Sequence, residues 1–201
     1  MYVLTVDQRG SRRDIDRVDA LLDMVSHADL VRPFERTAGD EVQAVADDAA
    51  VVAKLGVTLA ADGHWSVGIG VGPVRLPLPA STRAGRGPAF EYAREAVESA
   101  KSQRIPLSVQ GPDDIWAGHA QTAARLLADV VAGRSDAGAE AVRLMDTGVT
   151  QVDGAARLGI SPQAMSQRLR SARWDIEEDA YHLLAELLRR ADMSDHPEGI
   201  T

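Results

Sequence analysis

Two carboxylates near the N-terminus stand in contexts suited to metal-assisted phosphate chemistry. Asp7 closes the apolar run "MYVLTVD", and Asp40 lies in "TAGDEVQAV". Two carboxylates held side by side repel unless one is protonated or a cation lies between them. Mg2+ carried by nucleotide phosphates is the usual cation for an oxygen site of this kind. Gly10 and Ser11 follow Asp7 in a turn whose backbone N–H groups suit a phosphate. A lone aspartate at a strand end is more often a turn residue than a ligand, so the weight rests on the pair.

A second chemistry is written into "VTQVDGAARLGISPQAMSQRLRSAR", Val149–Arg173. Gly159 suits the left-handed residue that ends a helix. Ser161 suits the cap of the next helix, with Pro162 at its first position. Val152, Ala156, Leu158, Ile160, Met165, Leu169 and Ala172 fall on inward positions, which leaves Gln163, Ser166, Gln167 and Arg170 outside. Gln pairs with adenine and Arg with guanine at major-groove edges. Arg157, Arg168 and Arg173 are placed for phosphates, and Ser161 lies at the same surface. The plainer reading is a helical hairpin with a solvated basic face.

Charge bears on this choice. The 201-residue chain carries a net charge of -8, yet Thr150–Arg173 holds four arginines and one aspartate. DNA responds to the field at its phosphates, so a small basic face works on an acidic protein. Overall acidity argues against indiscriminate nucleic-acid binding and leaves specific binding open. There is no cysteine, so disulfides and thiolate metal sites are excluded. No run has the make-up of a signal peptide or a membrane span, so a cytoplasmic protein with no membrane partner is expected.

Elements must position these residues. "MYVLTVD" reads as a buried strand, and Asp14–Ser26 carries apolar residues at helical spacing. "PFERTAGDEVQAVAD" reads as two strands meeting at Ala38–Gly39–Asp40. Ala46–Ala60 is a predicted helix that Gly56 weakens. "HWSVGIGVGPVRLPLP" alternates like a strand pair bent at Gly70–Pro73. Pro88–Gln103 is a helix, and "IPLSVQG" a last strand. The order β-α-β-β-α-β-β-α-β elaborates the split βαβ arrangement of ferredoxin-like or palm domains.

After Gly111–Pro112 strand signals vanish. Helices are expected over Asp113–Ala132, Ala137–Met145, Gln151–Leu158, Ser161–Arg173 and Trp174–Ala191. The last carries Ile176, Ala180, Leu183, Leu184, Leu187 and Leu188 on one stripe. That stripe either closes the core of the small helical domain or forms a homodimer contact. The tail "MSDHPEGIT" has no periodicity and is expected to be mobile. The expected class is α+β. A palm sheet domain over 1–111 leads through a connecting helix at 112–135 into an all-α helix-turn-helix domain at 136–201.

The motifs also carry resemblances. Val149–Arg173 is similar to the helix-turn-helix of region 4 of sigma factors, where a "T…AA..LGIS…S.RLR.A" run recurs. "DQRGS" resembles the "DIxGS/T" segment of class III nucleotide cyclases, and "RTAGDEV" their "KTxGDG" as well as the "GGDEF" hairpin of diguanylate cyclases. Over nearly the whole chain, "DQRGSR", "GDEVQ" and the helix-turn-helix resemble the SatD family, which supplies architecture more than activity. The cyclase likeness implies a metal at Asp7 and Asp40. It also implies nucleotide contacts at Gly10, Ser11, Arg36 and Gly39, with Arg36 at the base-selecting lysine position. It places Glu91 and Glu95 where cyclases carry an Asn and an Arg, and carboxylates there oppose phosphoryl transfer.

These residues lead to a transcriptional regulator that binds double-stranded DNA as a homodimer. Its cyclase-like domain senses a ligand, a nucleotide with Mg2+, without turnover. The rival is an active metal-dependent nucleotide cyclase or phosphoryl-transfer enzyme with a regulatory tail. A third reading is an adaptor that docks on transcription machinery, which the acidic "DIEED" next to the recognition helix keeps open.

Overall fold

The structure is a computed structural model that describes residues 1–11 and 13–193. Residues 194–201, expected from sequence to be mobile, lie outside the described residues. The protein is α+β. Its strands are β1 (Tyr2–Gln8), β2 (Arg32–Ala38), β3 (Glu41–Ala46), β4 (Trp65–Val71) and β5 (Leu107–Gln110). Its helices are α1 (Val18–Met24), α2 (Ala49–Asp62), α3 (Pro88–Lys101), α4 (Asp114–Ala132), α5 (Asp136–Met145), α6 (Gln151–Arg157), α7 (Pro162–Ser171) and α8 (Glu177–Asp192). Short 3-10 turns lie at Thr82–Ala84 and Trp174–Ile176.

The sheet order is β2-β3-β1-β4-β5. The first four strands are antiparallel, and β5 runs parallel to β4. A parallel pair needs a crossover, which α3 supplies. Alternation along each strand separates two faces. Leu4, Val6, Val42, Ala44, Val67, Ile69 and Leu107 share one core with residues of α2, α4 and α8. Val3 and Val45 face the other way, onto Ala89, Phe90 and Ala93 of α3. Gly68 and Gly70 let α3 lie directly on β4: a Cβ on Gly70 would sit 2.0 Å from the Ala89 carbonyl oxygen. Gly56, expected to weaken α2, sits where a Cβ would meet the Ile69 side chain at 2.9 Å.

The expected strand pair after His64 is half right. β4 forms, but residues 72–87 are a loop with one 3-10 turn. Pro73, Pro77 and Pro79 remove the donors a second strand would need. The loop instead lies over β2, where Arg32 donates to the carbonyls of Leu78 and Pro79. Glu35 accepts there from Ser81 and from the Thr82 N–H.

The C-terminal helices divide differently from expectation. α5, α6 and α7 enclose their own core of Ala141, Val142, Ala155, Met165, Leu169 and Ala172. α4 and α8 do not join it. Ala120, Ala124 and Leu127 of the expected connector, with Leu184 and Leu188 of α8, are buried in the sheet core. Leu184 and Leu188 of the stripe are therefore occupied within the chain and not free for a dimer contact, whereas Ile176 and Leu183 are exposed. Among the described residues no helix is long and apolar enough to cross a membrane.

Candidate functional site

Asp7, expected to end the first strand, is its penultimate residue, since β1 continues to Gln8, and it lies on the side covered by α3. The residue directly opposite it on β3 is Glu41. Asp40, expected to meet Asp7, is one residue off because Gly39 and Asp40 form the loop that closes the Ala38–Glu41 pair. Gly39 takes φ 59, the left-handed value such a turn needs. Adjacent residues on a strand point to opposite faces, so a slip of one position exchanges partners. Asp40 remains close enough to act through its charge, and the Glu41 carboxylate accepts a hydrogen bond from the Thr37 hydroxyl.

The cation at Asp7 is Lys101, from the last turn of α3. Its Nζ lies 3.3 Å from Asp7 Oδ2 and 2.6 Å from Glu98 Oε1. Nothing in the sequence pattern marks Lys101, which is brought to Asp7 by the path of α3 across β4. The Asp7 carboxyl is held above its ordinary pKa, first by burial and then by the charges of Asp40 and Glu41, with Lys101 opposing. Beneath it, buried Gln43 Nε2 donates to Thr5 Oγ1 at 2.8 Å. Among the described residues no three His, Cys, Asp or Glu side chains group in a way that could hold a metal ion.

The other residues named for this site separate. Gly10, with φ 69, starts an exposed turn with Ser11 in which the Arg13 N–H donates to the Gly10 carbonyl. Arg36 pairs in register with Val42, on the α2 side of the sheet, away from Asp7. Its guanidinium is bonded to Asp16 at 2.6 and 2.7 Å. Glu91 and Glu95 are exposed on α3 and do not face the sheet. They carry no argument against phosphoryl chemistry at Asp7.

The raised Asp7 pKa has a stability consequence. The folded state binds its proton more tightly than the unfolded state does. Stability from this group is therefore complete below the unfolded pKa of about 3.9 and is lost as pH rises through the folded value. Asp7→Asn is expected to raise the melting temperature at neutral pH, with the gain vanishing in acid. Thermal melts of both chains across pH check this. A gain that grows toward acid would contradict the assigned shift.

The second site is built by caps. Thr150 Oγ1 accepts from the Asp153 N–H and donates to the Asp153 carboxylate, which starts α6. Gly159 takes φ 65 after α6, and the Ile160 N–H returns to the Ala155 carbonyl. Ser161 Oγ accepts from the Ala164 N–H and starts α7, with Pro162 in its first turn. Gly154 and Ala155 bring α6 close to α7; a Cβ on Gly154 would lie 3.0 Å from Met165 Cε. Val152 and Ala156, expected inside, are exposed, because the small pair 154–155 takes the inward position.

Met165 and Leu169 anchor α7, so Gln163, Gln167 and Arg170 are exposed and Ser166 is half-buried. With Pro162 and Ser171 these four make up one open face of α7. Arg157 is exposed at the end of α6. Arg168, expected to be placed for a phosphate, instead turns to Glu140 of α5 at 3.3 Å. Arg173 has φ 59 just past α7 and lines a groove between α4 and α8. Arg134 joins the helical unit to the sheet core. Its Nη2 bonds Glu177 at 2.6 Å and its Nε donates to the Ala172 carbonyl.

No family model, curated protein or solved structure matched this chain.

Proposed function

We propose that the protein is a DNA-binding transcriptional regulator in which α6 and α7 form a helix-turn-helix. The observation that carries this reading is the outward row Gln163, Ser166, Gln167 and Arg170. It lies on a short helix capped by Ser161 and anchored by Met165 and Leu169. That arrangement presents donors and acceptors of base-reading type along one open face of α7. Arg157 is the phosphate-positioning cation, while Arg168 is engaged with Glu140. The sheet order β2-β3-β1-β4 supports a ferredoxin-like, palm-type domain, to which this reading assigns ligand sensing. The test is selection of genomic fragments retained by the purified chain, repeated with ATP, GTP and Mg2+. Enrichment of a common sequence supports the reading, and retention no better than random DNA removes it.

Lys101 favours a second reading, a nucleotide-processing enzyme, because a cation and two facing carboxylates meet at Asp7. Those residues suit a Mg2+-nucleotide in donor type, with Asp7 and Glu41 as oxygen ligands and Lys101 toward phosphate. Mass spectrometry of ATP and GTP incubated with the chain and Mg2+ or Mn2+ decides between them. The regulator reading expects no product. Product that is lost in Asp7→Asn would establish the enzyme.

A further inference from the structure

The helical unit α5–α7 and the sheet core meet at a cleft of about 490 Å³, within the usual range for a small-molecule site. Three segments wall it. α2 supplies Ala50 and Lys54, the end of α5 supplies Met145 and Asp146, and the chain from Trp174 into α8 supplies the rest. Each side contributes an aromatic residue. Trp174 packs against the core of α5–α7, and Tyr181 packs against the sheet core. Both are half-buried, so each keeps part of its surface for the cleft.

Charge selects the occupant. Glu177 is spent on Arg134. Asp146, Asp175 and Glu178 have no ion-pair partner among the described residues, and neither has Lys54. With His182 counted as neutral, these groups leave the cleft a net charge of -2. A divalent metal ion does not suit that arrangement, because it needs several oxygens in one coordination shell. Among the described residues no three His, Cys, Asp or Glu side chains group in that way. Carboxylates spread around a cleft with aromatic walls suit a cation whose charges are spread along an apolar body.

We propose that this cleft binds a linear aliphatic polyamine with two or three ammonium groups. The ammonium groups pair with Asp146 at the end of α5 and with Asp175 and Glu178 across the cleft. The methylenes lie along Met145, Trp174 and Tyr181. Such a ligand ties α5–α7 to the sheet core beside the Arg134–Glu177 bond. It therefore favours one placement of α5–α7 over others, which is what a sensor that sets DNA affinity requires. That regulatory role rests on the DNA-binding reading, and the site itself does not.

Calorimetric titration of the full chain with spermidine, without DNA, is the test. One spermidine per chain is expected to bind, with a change in tryptophan fluorescence that Trp174→Phe removes. Asp146→Asn with Glu178→Gln should weaken binding about tenfold or more. The melting temperature should stay unchanged, because both side chains are exposed. Lys54→Ala should tighten binding roughly threefold by removing a like charge. Mg2+ at the same ionic strength should not displace spermidine. Absence of spermidine binding overturns the proposal, as does binding that the double variant leaves unchanged. Displacement by Mg2+ would mark general screening, and weaker binding in Lys54→Ala would mark an anion site; either overturns it. A chain that binds spermidine but no DNA keeps the site and loses the regulator. A chain that binds DNA but no spermidine does the reverse.

Discussion

Gly70→Val will prevent the native fold. A Cβ at Gly70 would lie 2.0 Å from the Ala89 carbonyl oxygen and 2.3 Å from the Ala93 nitrogen. Both atoms are backbone, so no side-chain rotation relieves the clash. Gly68 has the same character, with the Val97 nitrogen at 2.3 Å. The helix cannot retreat freely, because Ala89, Phe90 and Ala93 are buried against Val3 and Val45. Ordinary overpacking costs about 1–3 kcal/mol. Displacing a whole helix from a strand lies in the exceptional range above about 4–5 kcal/mol, a large share of total stability. Circular dichroism and urea titration measure it. Gly118→Ala is the control: nothing lies within 4 Å of its added Cβ, and a helix-interior alanine should stabilise by about 0.5–1 kcal/mol. A Gly70→Val chain as stable as wild type would mean that α3 does not lie on β4. Lys101 would then have no reason to reach Asp7.

Arg134→Met is expected to cost about 3–5 kcal/mol, the range for removing one member of a buried ion pair. The Arg134 and Glu177 side chains are 7% and 17% exposed. Removing the guanidinium strands the Glu177 carboxylate at the start of α8 and takes a donor from the Ala172 carbonyl at the end of α7. The loss therefore falls on the junction between the helical unit and the sheet core. Hydrogen exchange should rise first in α5, α6 and α7. Arg134→Met with Glu177→Leu should recover much of the loss, since no charge is then buried alone. Arg189→Ala, which breaks an exposed pair with Glu186, should cost less than about 1 kcal/mol. Equal losses from Arg134→Met and Arg189→Ala would contradict the burial argument.

Much of the local structure is legible in the sequence because it is made by neighbours. Gly39 in the hairpin, Thr150 and Ser161 as caps, Gly159 after α6 and Pro88 at the start of α3 each act within a few residues. Strand alternation also holds enough information to place Glu41, rather than Asp40, opposite Asp7 once the turn is counted as Gly39–Asp40. Lys101 was not legible. It is 94 positions from Asp7 and meets it only because glycines at 68 and 70 fix the path of α3. The partner of the α8 stripe was not legible either. An apolar stripe specifies that something covers it, and Leu184 looks the same whether α4, α7 or another chain does so. The loop over 72–87 carried its own warning in three prolines, which outweigh an alternating pattern.

DNA binding through α7 is most directly measured by the affinity of the chain for a selected fragment, compared with Gln167→Ala/Arg170→Ala at one fixed salt concentration. Both side chains are exposed, so the double variant should melt as wild type does. Loss of base contacts at about 1–3 kcal/mol each predicts at least a roughly tenfold weaker complex and a relaxed preference at the contacted base pairs. Binding to random DNA, set by phosphate contacts, should change far less. A double variant that keeps both the affinity and the sequence preference of wild type would show that α7 does not read DNA.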